Sequence, residues 1–218
     1  GNAATQDSRT FVKDVLNPTV AITAPAANSY INAANVASYT VSGTCSENGR
    51  NVVLSGDASA TVTCAAGAWT ANLDFTSAAS GTVTVTADHS DAGSNAATPD
   101  SRSFIKDVTA PTVAITAPAA NSYVNAGNVA AFAVSGTCSE TGQNVVITGD
   151  ASATVACLAG TWNANLDFTA AAAGAVTTNA NHSDAAGNPA TASTRSFIKD
   201  VTAPTVAITS PVANSLIN

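Results

Sequence analysis

Short runs of alternating or apolar side chains, punctuated by Gly, Pro, Asn and Asp, recur along this chain. In Thr161-Trp162-Asn163-Ala164-Asn165-Leu166-Asp167-Phe168 every second position is apolar, the pattern of a strand. Thr112-Val113-Ala114-Ile115-Thr116 also reads as a strand and stops before Pro118; Ala131-Phe132-Ala133-Val134-Ser135 is closed by Gly136. Asn144-Val145-Val146-Ile147-Thr148 ends at the turn pair Gly149-Asp150. Stretches 151–157, 174–182 and 196–199 complete a set of seven predicted strands. Long helical periodicity is absent. The Ala-rich run 169–174 reads as a loop, because its counterpart at 76–81 is Thr-Ser-Ala-Ala-Ser-Gly.

That counterpart exists because the whole pattern repeats. Lys13 recurs as Lys106 and Lys199, a step of 93 residues, and Asp14, Asp107 and Asp200 keep the same step. So do Cys45 and Cys138, Cys64 and Cys157, Trp69 and Trp162. Self-similarity at a fixed period outranks any local signal. The register predicts residues 1–14 as the last strand of a preceding repeat, 15–107 and 108–200 as two full repeats, and 201–218 as the first strand of a following one. Seven short strands per repeat, with turn signals every 8 to 12 residues, predict an all-β chain of tandem immunoglobulin-like β-sandwich domains arranged end to end. The connection Lys106-Asp107-Val108-Thr109-Ala110-Pro111 is short. Proline biases it toward extended geometry, and no Gly/Ser run makes a hinge. A rod of about 33 Å per domain is expected.

The 218 residues carry a net charge of -7, with only 10% charged side chains. The seven Lys and Arg are scattered, so no basic patch exists to neutralise phosphates and no nucleic-acid partner is expected. No stretch reaches the roughly 20 apolar residues that span a bilayer. This segment is not expected to insert into a membrane.

Each repeat has two cysteines 19 apart. Zinc would want paired short spacings or nearby histidines, and neither occurs. Disulfides Cys45–Cys64 and Cys138–Cys157 are expected, which places the protein outside the cytoplasm.

Five acidic positions recur between the repeats, and topology singles out three of them. In such a sandwich the second-to-third-strand loop and the sixth-to-seventh-strand loop lie at the pole where the chain enters. Glu140 sits in the former, Asp184 in the latter, and Asp107 in the connection leading in. Three converging carboxylates repel unless a hard cation with six to eight oxygen ligands joins them. Asp107, Glu140, Asp184 and Asn188, and in the first repeat Asp14, Glu47, Asp91 and Asn95, are the candidate Ca2+ ligands. Asp57 and Asp150 follow Gly in a tight turn and read as turn formers. Asp74 and Asp167 alternate with apolar neighbours and are expected to face solvent.

The run Asp-x-Thr-Ala-Pro-Thr-Val-x-Ile at 107–115, Gly-Thr-x-x-Glu-x-Gly at 136–142, Trp162, and Asp-x-Ala-Gly-Asn at 184–188 resembles the bacterial Ig-like tandem repeats of large secreted surface adhesins. The resemblance covers the whole chain. It implies a repetitive stalk at the bacterial cell surface that projects an adhesive tip and is stiffened by Ca2+ at the interdomain linkers. The cysteine pair is not general in that family. In the first repeat the last motif is Asp91-Ala92-Gly93-Ser94-Asn95, with Gly one position early.

Catalysis is not expected. His89-Ser90-Asp91 and His182-Ser183-Asp184 hold triad residue types, but adjacent strand residues face opposite sides and cannot form the relay. Trp69 and Trp162, one per sandwich, are expected in the core. The expected partners are neighbouring repeats of the same chain, and lateral or head-to-tail self-association is the alternative. The rival readings are a self-assembling filament subunit and a glycan- or protein-binding module; the latter needs exposed aromatics clustered in loops that are here Ala, Ser, Asn and Gly.

Overall fold

The computed structural model describes residues 1–210 together with 213, 214 and 216. These residues form strands and turns and no helix. The chain divides between Thr109 and Ala110 into two compact units. The first holds β1 (Val20–Ala24), β2 (Tyr30–Ile31), β3 (Tyr39–Cys45), β4 (Asn51–Gly56), β5 (Ala60–Thr63), β6 (Ala68–Leu73), β7 (Gly81–His89) and β8 (Asp100–Lys106). The second holds β9 (Val113–Ala117), β10 (Tyr123–Val124), β11 (Phe132–Cys138), β12 (Asn144–Gly149), β13 (Ala153–Ala156), β14 (Thr161–Leu166), β15 (Gly174–His182) and β16 (Ser193–Lys199).

Each unit is a two-sheet sandwich. In the first, a three-stranded sheet runs β1-β3-β6 and a five-stranded sheet β2-β8-β7-β4-β5. In the second, the orders are β9-β11-β14 and β10-β16-β15-β12-β13. All pairings are antiparallel except those of β2 with β8 and β10 with β16. The alternation seen in the sequence becomes burial. β6 turns Trp69, Ala71 and Leu73 inward and leaves Ala68, Thr70 and Asn72 exposed; β14 does the same with Trp162, Ala164 and Leu166. Across the first core Tyr39 meets Phe75 and Phe104 edge-on, with centroids 6.0 and 5.2 Å away, a favoured aromatic geometry.

The disulfides Cys45–Cys64 and Cys138–Cys157 are formed, each with Cα atoms 6.0 Å apart. Cys45 ends β3 and Cys64 follows β5, so the bond ties the small sheet to the large one.

The seven predicted strands all appear, with ends shifted by up to three residues, and 174–182 coincides with β15. An eighth strand was not expected. β2 and β10 are two residues long, too short for any periodic signal, and exist because β8 and β16 offer an edge. Residues 1–19 and 200–209 form no strand. Phe11 and Val12, which match the closing strand in sequence, are 87% and 95% exposed. A strand forms only against a neighbour, and β7 already has β4 and β8 on its two sides. The rest of the predicted terminal strand, at 211, 212, 215, 217 and 218, lies outside the described residues.

Candidate functional site

The loop after β7 carries the centre of the first candidate set. Asp91 is buried and closes a tight loop on Asn95. The Asn95 amide donates to Asp91 Oδ1 at 2.8 Å, and Asn95 Nδ2 donates to Oδ2 at 2.8 Å. Foremost the Asn95 side chain, then the Asn95 and Gly93 backbone amides and the Arg50 guanidinium, hold the Asp91 carboxyl below its ordinary value; burial pushes the other way. Arg50 also donates from Nη2 to the Asp91 carbonyl at 3.0 Å.

Asp14 comes to the same place. Asn95 Nδ2 lies 3.4 Å from the Asp14 carbonyl. A Cβ added to Gly93 would stand 3.1 Å from Asn95 Nδ2, 3.3 Å from Asp14 Cβ and 3.4 Å from Asp91 Oδ1. Asp14, Asp91 and Asn95 thus meet around Gly93, although in the second unit the Asp184–Asn188 loop closes in the same way around Ala186. Glu47 reaches this neighbourhood through its backbone: its amide lies 3.3 Å from His89 Nε2, while its carboxylate takes the Ser46 hydroxyl at 3.4 Å.

In the second unit Asp184 and Asn188 repeat the loop, with Asn188 N and Nδ2 each donating to Asp184 at 2.8 Å. Both residues are buried. The Glu140 amide lies 3.3 Å from His182 Nε2. Asp107 belongs to the first unit, where its Oδ1 accepts the Thr109 amide at 3.0 Å. Among the described residues no three His, Cys, Asp or Glu side chains stand close enough together to hold a metal ion. The first set offers the Asp14 and Asp91 carboxylates, hard-oxygen donors of the kind Ca2+ takes, while Asn95 turns its Nδ2 toward Asp91 and the Asp14 carbonyl. A full shell of six to eight would draw the rest from main-chain carbonyls and water.

The histidines were read only as false triads, and their role was missed. His89 and His182 are buried. His89 Nδ1 lies 2.8 Å from the Asn51 carbonyl and His182 Nδ1 2.9 Å from that of Asn144. The facing Glu47 and Glu140 amides are donors, so Nε2 is the acceptor and Nδ1 carries the proton. Both ring nitrogens thus hold backbone, and Ser90 and Ser183 are exposed between buried neighbours. The one sequence signal was recurrence at the 93-residue step.

The recurring lysines have a structural role as well: Lys106 and Lys199 are both buried. Lys106 Nζ donates to the carbonyls of Thr76 and Ala78, and Lys199 Nζ to those of Thr169 and Ala171. The alternation of β8, with Phe104 and Lys106 both inward, was the available clue.

The other acids are local. Asp57 Oδ2 accepts the Thr84 amide at 2.6 Å and Asp150 Oδ2 that of Thr177 at 2.6 Å, pinning the turn after β4 or β12. Asp74 is exposed, and its Oδ1 accepts the Thr76 amide and hydroxyl at 2.8 and 2.7 Å. Trp69 and Trp162 are core residues, 3% and 2% exposed.

No family model and no curated protein matches the chain. Solved structures do. The fibronectin(III)-like modules of Clostridium thermocellum CbhA match 84% of this chain and 95% of their own, at a TM-score of 0.51 and 16% identity. A structure concerning host cell surface retention of a 1.5-MDa bacterial ice-binding adhesin matches 85% of the chain at a TM-score of 0.46 and 22% identity; this chain spans 66% of that structure, just under two thirds. The D00-D0 domain of Intimin matches 82% of this chain and 99% of its own at a TM-score of 0.35 and 13% identity. The first of these establishes the fold: two domains of the immunoglobulin and fibronectin(III) type.

Proposed function

We propose that this chain is a run of structural spacer repeats from an extracellular surface adhesin or fibre, braced by Ca2+ near the linkers. The observation that carries the reading is the recurrence, every 93 residues, of a complete sandwich with its own core and its own disulfide. Disulfides of this kind persist in oxidising compartments. The adhesin named among the similar structures accords with the reading. The buried histidines are occupied by backbone and the tryptophans by the core. The exposed aromatic side chains within the two sandwiches are Tyr30 and Tyr123, one per unit, which disfavours a clustered glycan platform.

Asp14, Glu47, Asp91 and Asn95 would hold the cation in the first unit, and Glu140, Asp184 and Asn188 are their counterparts in the second. Bound Ca2+ supplies charge neutralisation where carboxylates meet, and no chemical step. Small-angle scattering and a thermal melt, each with Ca2+ and with a chelator, test this. An elongated particle whose Tm rises with Ca2+ supports the reading. A radius of gyration near ~17 Å, the value for one compact body of this length, counts against the spacer. An elongated particle indifferent to Ca2+ removes the cation and leaves the spacer.

A further inference from the structure

We propose that β6 and β14 are docking edges for a second copy of this chain, joining two three-stranded sheets into one of six strands. Each sandwich has four sheet edges, and the first unit blunts three of them. The β1 edge has an irregular register between Ile22 and Ala24 and runs into Pro25, and the Ile22 amide is taken by Asp100 Oδ2 at 2.7 Å. In the second unit Ser193 Oγ takes the Ile115 amide at 3.0 Å. The five-stranded sheet ends on one side in two-residue β2 and on the other in four-residue β5. Short edges, irregularities, proline and inward-pointing charge are the devices that stop edge-to-edge pairing.

The fourth edge has none of them. β6 is six residues long, in unbroken register with β3, and free of proline and charge; β14 is the same against β11. The Cys45 amide donates to the Gly67 carbonyl at 3.0 Å, which sets the phase of the ladder. Trp69, Ala71 and Leu73 therefore aim their backbone at β3, and Thr70 and Asn72 aim theirs outward. The bond from the Cys138 amide to the Gly160 carbonyl, also 3.0 Å, does the same for Asn163 and Asn165.

A second copy fits this edge by charge. No residue of β1, β3, β6, β9, β11 or β14 is charged, whereas the whole chain carries -7 and its copies repel elsewhere. An antiparallel strand pairs with itself about a twofold axis. Centred on Ala71, that axis sets Thr70 of one copy against Asn72 of the other, two exposed neutral side chains able to pair across strands. In the second unit Asn163 meets Asn165.

The test is sedimentation of the full chain from micromolar to millimolar concentration. The wild type is expected to move from monomer to twice the mass and then to larger multiples, because each chain carries two self-pairing edges. Thr70→Lys with Asn163→Lys sets like charges along the edge and is expected to weaken association at least about tenfold. Asn72→Asp with Asn165→Asp is the second variant should the first fail to fold, checked by an unchanged melt. Thr61→Lys with Thr154→Lys, on β5 and β13, should leave association unchanged. A wild type that stays monomeric overturns the proposal. So does association that survives the β6 and β14 substitutions, which would place the contact elsewhere, the exposed Phe11 and Val12 included. Neither result bears on the spacer reading, which rests on particle shape.

Discussion

Gly43 and Gly136 show how much one residue decides in this fold. A Cβ at Gly43 would lie 1.8 Å from the Ala21 carbonyl oxygen and 2.6 Å from the Trp69 ring, so β1 and the tryptophan both lean on a bare backbone. Gly43→Ala is expected to cost about 3 kcal/mol by overpacking, read from a denaturant midpoint. Tyr39 points the other way. Its hydroxyl is buried with no well-formed hydrogen bond; burial pushes the phenol above its ordinary value, and a weak contact with the Ser29 side chain, too poor in geometry to satisfy the hydroxyl, pulls partly back. The second repeat has Phe132 at this place. Tyr39→Phe should therefore raise stability by about 1 kcal/mol, and a lower Tm would refute the account. Lys106→Met strands two carbonyls and is expected to cost about 1–3 kcal/mol. The steric reason for Gly43 lies in Ala21 and Trp69, which only the folded sheets bring together.

At the scale of elements, the strands and their order were legible because short apolar or alternating runs are bounded by Gly, Pro, Asn and Asp turn signals. β2 and β10 were not, since pairing alone creates them. The disulfide spacing was legible too, but not that the bond crosses between sheets. Reducing one should destabilise its unit by about 3 kcal/mol, the scale for a loop near 20 residues, seen as a lower Tm under reductant. The turns after β6 and β14 carry a pH signature. Hydrogen bonds from the Thr76 hydroxyl, then its amide, hold Asp74 below the ordinary carboxylate value, with a smaller pull from Lys106; Thr169 and Lys199 do so for Asp167. A depressed folded value means stability that is present above the unfolded value, near about 4, and lost as pH falls through the folded one. Tm should hold from neutrality to about pH 5 and decline below about 4. Asp74→Asn with Asp167→Asn should make that decline shallower, and an unaltered acid limb would sink the assignment.

For the whole molecule, the 93-residue period, the all-β class, the paired cysteines and the core tryptophans were fixed by sequence, because each is a matter of residue type at regular spacing. The candidate cation ligands were legible as a list. How far they converge was decided by loop geometry: Asp14 comes to Asp91 and Asn95 beside Gly93, while the Glu47 carboxylate turns to Ser46. Tertiary structure alone decided that His89 and Lys106 are buried anchors of backbone, since a polar side chain is admitted to a core only where partners happen to face it. It also decided which sheet edge stays open. Edge protection depends on what neighbouring strands supply, and no single strand's sequence records that.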